Sequence, residues 1–176
     1  MTGSILIETS RLILRTVSLE DVEEVASSWN LDEAPLSRQA AEAKVVWMMD
    51  NHEKNAPGRI IHVCLAIIEK NSREFIGWCG LDHRDETREV PVLFYLLKSS
   101  YWGKGLATEA ARALLDYAFR VLELNRIDSG AEFENVASKR VMEKIGMRYL
   151  GIDAEGGHAF SLTREAYIRN CLAKNV

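Results

Sequence analysis

One stretch constrains this chain more than any other. Val92–Leu97 is apolar or aromatic at every position, and Gly103 and Gly105 follow it closely. Ala111, Leu114, Leu115, Ala118, Phe119 and Leu122 then recur with spacing 3-1-3-1-3, one face of an α-helix reaching to about Leu122. Strand, glycine turn and amphipathic helix together aim successive backbone N–H groups and a positive helix end at one point. Such a nest binds phosphate. A lone Gly-x-Gly is equally compatible with a turn whose glycines serve only its geometry.

The sequence around this unit alternates between periods. Thr9–Arg15 alternates as a short strand. Ser18 reads as an N-cap with Asp21 in the reciprocal capping position, and Val22, Val25, Ala26 and Trp29 form the face of the helix that follows. A second helix is expected over Arg38–His52, ended by Asn55-Ala-Pro-Gly58. Ile60–Ile68 is nearly continuous in apolar residues and reads as a strand covered on both faces, with Phe75–Leu81 its hairpin partner. Asp82–Arg88 reads as polar loop and Val90–Leu97 as the next strand. Beyond the long helix come a strand over Arg126–Phe133 and a helix capped by Asn135, with Ala137, Val141 and Ile145 as its face and Gly146 as its stop. A hairpin of Met147–Ile152 with His158–Leu162 follows, then a short helix capped by Thr163 and ending near Cys171. The order predicts an α/β (α+β) fold with both faces of a mixed sheet covered.

The 176 residues, 47% hydrophobic and without a linker-like tract, are expected to form a single domain over 1–176. Twenty-two basic against 26 acidic residues give a net charge of −4, which argues against a nucleic-acid partner held by bulk charge. Cys64, Cys79 and Cys171 make no CxxC pair, and His52, His62, His83 and His158 have no ligand spacing, so reduced thiols and no metal are expected. No apolar run is long enough to span a membrane, and Met1-Thr-Gly-Ser-Ile5 lacks the features of a signal peptide. The expectation is a cytoplasmic chain.

Two nucleotide-binding patterns fail at the glycine turn. A Walker loop needs Gly-Lys-Ser/Thr, whereas Leu106 follows Gly105. A dinucleotide fingerprint needs Gly or Ala where Thr108 stands; Asp128 lies at a ribose acceptor's distance, but the upstream half lacks repeated strand–helix crossovers. A third pattern covers more of the chain. Tyr101-Trp-Gly-Lys-Gly-Leu-Ala-Thr-Glu-Ala110 and Asn135-Val-Ala-Ser-Lys-Arg-Val-Met-Glu-Lys-Ile-Gly-Met147 together resemble the GCN5-related N-acetyltransferase (GNAT) superfamily. Glu8-Thr-Ser-Arg-Leu-Ile-Leu-Arg15 and Phe160-Ser-Leu-Thr-Arg-Glu165 resemble its RimJ/RimL-type ribosomal-protein N-terminal acetyltransferases.

The resemblance implies a mostly antiparallel central sheet splayed at an acetyl-CoA site. It implies that backbone N–H groups of Gly103, Lys104, Gly105, Leu106, Ala107 and Thr108 hold the pyrophosphate, and that main-chain groups near Leu96, Leu97 and Lys98 pair with the pantetheine arm. Asn135 would contact the same arm and Ser138 would lie near the thioester sulfur, although both positions also suit helix capping. Lys139-Arg140 reads either as a partner for the 3′-phosphate or as a solvated helix face, and Trp47 and Trp78 either pack the core or bound an acceptor pocket. His62 and His83 read as satisfied core or surface groups rather than bases.

The chain departs from that family's pattern at two places. Val92 stands where many members carry a Glu base, and Met142 where many carry a Tyr acid, leaving Ser138 as the catalytic candidate. An α-amine titrates near 7.7–8.0 and a lysine near 10.4, so a neutral lysine requires about 3.4 kcal/mol more at neutral pH. A site without Glu therefore suits an α-amine, or another weakly basic amine, better than a lysine. The expected function is direct, metal-free transfer of acetyl from acetyl-CoA to a protein or peptide N-terminus, a ribosomal protein among the candidate partners. A small amine acceptor, or a CoA-binding module without turnover, are the alternatives, and the sequence leaves oligomeric state open.

Overall fold

The computed structural model describes residues 4–29, 34–83 and 90–173. Eight strands form one sheet: β1 (Leu6–Glu8), β2 (Leu12–Thr16), β3 (His62–Glu69), β4 (Phe75–Asp82), β5 (Val92–Leu97), β6 (Arg126–Ala131), β7 (Arg148–Ile152) and β8 (His158–Thr163). The five helices are α1 (Val22–Ser28), α2 (Arg38–His52), α3 (Leu106–Arg120), α4 (Val136–Lys144) and α5 (Arg164–Ala173). Strand order is β1-β2-β3-β4-β5-β6-β8-β7, and every neighbouring pair is antiparallel except β5 with β6. The expected mixed, mostly antiparallel sheet with helices on both faces is the observed one.

Alternation along the central strands sends side chains to two cores. One lies beneath α3 and α4 and contains Leu65, Ile67, Leu81, Leu93, Leu97 and the α3 residues Ala111, Leu114, Leu115, Ala118 and Phe119. Leu114 and Leu115 are fully buried, so truncating either to Ala costs about 2–5 kcal/mol. The other core lies beneath α1 and α2 and joins Val22, Val25, Ala41, Val45 and Met48 to Cys64, Ala66 and Trp78. β3 and β4 are covered on both faces, which is why they carry unbroken apolar runs.

Three local expectations differ from the structure. The N-terminal strand is one arm of a hairpin: β1 precedes it, and the Thr9 hydroxyl accepts the Leu12 amide at 2.9 Å to close the turn. Ser18 and Asp21 do form a capping box, with the Ser18 amide 2.8 Å from Asp21 Oδ2, but the box opens a 3₁₀ turn that leads into α1. On α4 the core-facing residues are Met142 and Ile145, with Val141 partly covered, while Ala137 is exposed because the first turn of this short helix overhangs an opening in the sheet.

Candidate active site

The opening lies between β5 and β6. β5 pairs with β4 from Val92–Asp82 to Leu97–Gly77, yet it meets β6 at one register position, Val92 opposite Asp128. There the Asp128 amide donates to the Pro91 carbonyl at 3.0 Å, and the Ser129 hydroxyl donates to the Leu93 carbonyl at 3.0 Å. Beyond this point β6 follows its six-position pairing with β8 and leaves β5.

Backbone groups along an antiparallel strand point alternately to either side. The Lys98 amide donates to the Ile76 carbonyl at 2.8 Å, which directs Leu96 and Phe94 toward β4 and Leu93, Tyr95 and Leu97 toward the gap. The Leu97 carbonyl accepts from Trp102 Nε1 at 2.7 Å. Of the expected trio Leu96, Leu97 and Lys98, it is the Leu97 amide that faces the gap, beside the backbone of Tyr95. The Lys98 side chain points elsewhere, 3.1 Å from Glu24 and over the Phe75 ring.

A cleft of about 500 Å³ occupies the mouth of the gap, lined by Asp82, His83, Val92–Tyr95, Ser129–Glu132, Asn135 and Ser138. Two of the residues singled out from the sequence thus meet on one wall. Asn135 caps α4, its Oδ1 accepting the Ser138 amide at 3.0 Å. The Ser138 hydroxyl stands 2.8 Å from that of Tyr95, whose O–H also lies 3.0 Å from the Ser138 carbonyl. Burial pushes the Tyr95 hydroxyl above its ordinary value, with the Ser138 bond opposing, so Tyr95 stays protonated near neutral pH. Tyr95 carried no mark in the sequence, because its partner depends on how far the strands diverge.

The glycine turn lies beyond this cleft, at the N-terminus of α3. Gly103 and Gly105 have φ of +72° and +76°, the left-handed region that glycine enters without penalty. A Cβ on Gly103 would meet nothing within 4 Å, so the turn is open to an incoming group. Gly105 caps α3 without a side chain, leaving the first-turn amides of Leu106, Ala107 and Thr108 without intrahelical partners. The Lys104 ammonium sits 4.9 Å above the Tyr101 ring.

Glu109 holds this turn in place. Its Oε1 accepts from the Thr9 and Ser10 hydroxyls at 2.6 and 3.0 Å and from the Arg11 amide at 3.0 Å, and its Oε2 accepts from Arg11 Nε at 2.7 Å. Arg11 Nη1 also donates to the Lys104 carbonyl at 2.9 Å. Partial burial raises the Glu109 carboxyl, but these bonds outweigh it and hold the group at about 2.

Other candidates fall into place. Val92 lines the cleft, and Met142 is fully buried on the core side of α4, so neither of the positions that the resemblance aligns with a base and an acid offers a proton-transfer group. Trp78 is buried with its ring 4.3 Å from Phe75 and 5.8 Å from Trp29, a residue of the core beneath α1 and α2. Trp47 is 51% exposed and packs on the His62 ring at 4.8 Å. Lys139 lies over the Tyr149 ring at 5.1 Å. Among the described residues no cluster of His, Cys, Asp and Glu could hold a metal, and no helix is long and apolar enough to cross a membrane.

The acetyltransferase (GNAT) domain pattern matches residues 11–148, from the start of β2 to that of β7, spanning the gap, the glycine turn and α4. The chain belongs to the GNAT acetyltransferases. It is 29% identical over 151 residues to the uncharacterized N-acetyltransferase p20 of Bacillus licheniformis, covering 82% of this chain and 83% of that protein. Its fold matches the crystal structure of the ribosomal-protein-S5-alanine acetyltransferase of Vibrio fischeri with a TM-score of 0.76 at 17% identity, over 93% of this chain and 98% of the other. RimL, a ribosomal L7/L12 α-N-protein acetyltransferase, gives 0.73 at 16% identity over 92% and 96%. As a GNAT acetyltransferase this chain is an enzyme of acetyl transfer to amines, and GNAT domains take acetyl-CoA as cosubstrate.

Proposed function

We propose that this acetyltransferase moves the acetyl group of acetyl-CoA directly to the α-amine of a protein or peptide N-terminus in the cytoplasm, as one domain over 1–176. The observation that carries the reading is the Tyr95–Ser138 hydroxyl pair, 2.8 Å apart in a cleft between parting strands. The residues present suit the cosubstrate. The unpartnered amides of Leu106, Ala107 and Thr108, with Gly103, Lys104 and Gly105, supply an anion nest at a helix N-terminus for a pyrophosphate. The backbone of Tyr95 and Leu97 supplies an open strand edge for a pantetheine amide arm, with Asn135 opposite.

When bound, acetyl-CoA supplies the acetyl group and a thiolate leaving group. Ser138 Oγ holds the proton that this leaving group needs. Tyr95, kept protonated by burial, lies 2.8 Å from Ser138 Oγ and 3.0 Å from the Ser138 carbonyl, so its one O–H can turn from the carbonyl to Oγ as that hydroxyl gives up its proton, which avoids an isolated alkoxide. Asn135 fixes the first turn of α4 and thereby the position of Ser138.

The α-amine assignment rests on Val92. A site whose usual base position is aliphatic favours an acceptor that is partly neutral near pH 7, and an α-amine meets this more readily than a lysine. The ribosomal-protein acetyltransferases among the structural neighbours support a protein N-terminus, and a ribosomal protein is the candidate acceptor. Thiol release from acetyl-CoA with a panel of peptides bearing free N-termini, lysine side chains only, or small polyamines tests the reading. Transfer to a free N-terminus above the others is expected. Transfer to small amines alone overturns the protein assignment, and acetyl-CoA binding without transfer to any amine favours a binding module.

A further inference from the structure

We propose that Asp82 is the residue that receives the acceptor amine: its carboxylate binds the incoming ammonium and takes the proton that nitrogen must lose before it can attack. This inference rests on the acetyl-transfer reading above and not on the choice of an α-amine: with Asp82 taking the proton, Val92 no longer separates an α-amine from a lysine, and the amine panel below decides between them. Asp82 ends β4, directly opposite Val92 on β5 and directly opposite His62 on β3. Directly opposed residues share a sheet face, with Cβ atoms about 4.5–5.5 Å apart. The missing carboxylate at Val92 therefore has a substitute one strand away, on the same face and in the same cleft.

Among the described residues no Lys or Arg pairs with Asp82, and its surroundings suit a cation. Its side chain is 42% exposed, so a substrate can reach it. Oδ1 accepts the His83 amide at 2.8 Å, and Oδ2 makes no hydrogen bond among the described residues. His62 supplies the independent sign of a built site: it is 2% exposed, and neither ring nitrogen has a hydrogen-bond partner among the described residues. A buried, unsatisfied imidazole is costly unless it serves something. Its Nδ1 stands 3.4 Å from Asp82 Oδ1, beside the carboxylate but without a hydrogen bond to it. Trp47 meets the His62 ring edge-on at 4.8 Å, and Phe94, which lines the cleft with Asp82, stacks 6.5 Å from it. A carboxylate flanked by aromatic faces recognises a primary ammonium.

Position then separates the two proton tasks. On β5, Val92 and Phe94 belong to the face that carries Asp82, whereas Tyr95 belongs to the face that carries α4 and Ser138. The cleft is lined from both faces, so the amine side and the leaving-group side lie on opposite sides of one strand. In the step assigned to Asp82, an ammonium N–H bond breaks, an O–H bond forms at Oδ2, and the nitrogen keeps its electron pair for attack.

The test uses the full chain saturated with CoA. An alanine-led tetrapeptide amide, lysine amide, spermidine and tryptamine are titrated calorimetrically beside their N-acetylated forms. At least one amine is expected to bind, and its acetylated form to bind at least tenfold more weakly. Asp82→Asn is expected to weaken that amine at least tenfold while leaving the thermal shift with acetyl-CoA intact, and to raise its KM in turnover. Asp82→Glu should recover part of the binding. His62→Leu should raise the amine KM more than it lowers kcat, with His62→Asn restoring it by keeping a polar group beside Asp82. Equal amine binding by Asp82→Asn and wild type overturns the inference, as does a wild-type protein that binds none of the amines. Absence of an acetyl-CoA shift in the wild type instead removes the acetyl-transfer reading on which it rests.

Discussion

The hydroxyls of Tyr95 and Ser138, 2.8 Å apart, are the point where a strand of one half of the sheet touches the helix that follows the other half. Tyr95 comes from β5, which belongs to the antiparallel run β1–β5, and Ser138 from α4, which follows β6. The bond bridges the gap that the backbone ladder leaves open. It also makes the leaving-group side a pair of hydroxyls rather than one.

Ser138→Ala is expected to lower turnover on a true acceptor by roughly 10–100-fold, the low end of general acid catalysis, since a serine hydroxyl is a weak acid. Acetyl-CoA affinity should stay within about threefold, because the lost interaction matters in the transition state. Tyr95→Phe should fall between wild type and Ser138→Ala. Steady-state kinetics with chemistry limiting the rate checks both, and an unchanged kcat for Ser138→Ala assigns the proton to water.

Asn135 separates capping from contact. Asn135→Ala removes the bond to the Ser138 amide and should cost about 0.5–2 kcal/mol of stability. Asn135→Asp keeps an acceptor for that amide but loses the side-chain N–H donors. It is expected to melt like the wild type yet bind acetyl-CoA more weakly. Equal acetyl-CoA affinity in the Asp variant would confine Asn135 to capping.

Acetyl-CoA should raise the melting temperature of the wild type by binding the native state, while NAD and ATP should give no comparable shift. Gly105→Asp is expected to abolish the acetyl-CoA shift by placing negative charge where the pyrophosphate sits. Because Gly105 has φ +76°, Gly105→Ala is the control for backbone strain: it should melt lower but still respond to acetyl-CoA. Loss of the response in both variants would assign the effect to turn geometry.

Glu109 sets an acid limit. Its carboxyl sits at about 2 in the folded chain against an ordinary 4.5, so the folded state favours the carboxylate. The resulting stabilisation is complete above about pH 4.5 and is lost as the pH falls toward 2. Glu109→Gln should melt below the wild type at pH 7, and the difference should shrink as the pH drops through this window. A pH-independent difference in melting would show that packing, not charge, is what the variant loses.

The parts of the fold that could be read from the sequence were those with long periodic signals. α2 spans Arg38–His52 as expected, and α3 buries Ala111, Leu114, Leu115, Ala118 and Phe119 in the order their spacing predicts. β1 was missed because three residues carry too little alternation to mark a strand. The α4 face was misassigned at Ala137 because periodicity reports which residues line up on a helix and not where the helix runs past its support. Ser138 and Asn135 were visible through a motif, and the cleft places them together. Tyr95 and Asp82 were not visible. Tyr95 looks like one more apolar residue of β5, and Asp82 looks like the first residue of a polar loop. Both acquire meaning from register: one through the divergence of β5 from β6, the other through its alignment with Val92.

The single ladder position between β5 and β6 is the one backbone rung that joins the two halves of the sheet among the described residues. Each half keeps its own hydrogen-bonded pairs, so the two can swing apart about Val92 and Asp128 without breaking a rung elsewhere. Widening the gap then means releasing the Tyr95 hydroxyl from Ser138 and the Ser129 hydroxyl from the Leu93 carbonyl. Release of a spent cosubstrate becomes a local opening rather than a partial unfolding. Amide hydrogen exchange in β5 and the first turn of α4 should therefore slow on ligand binding, while β3 and β8 keep the same protection throughout.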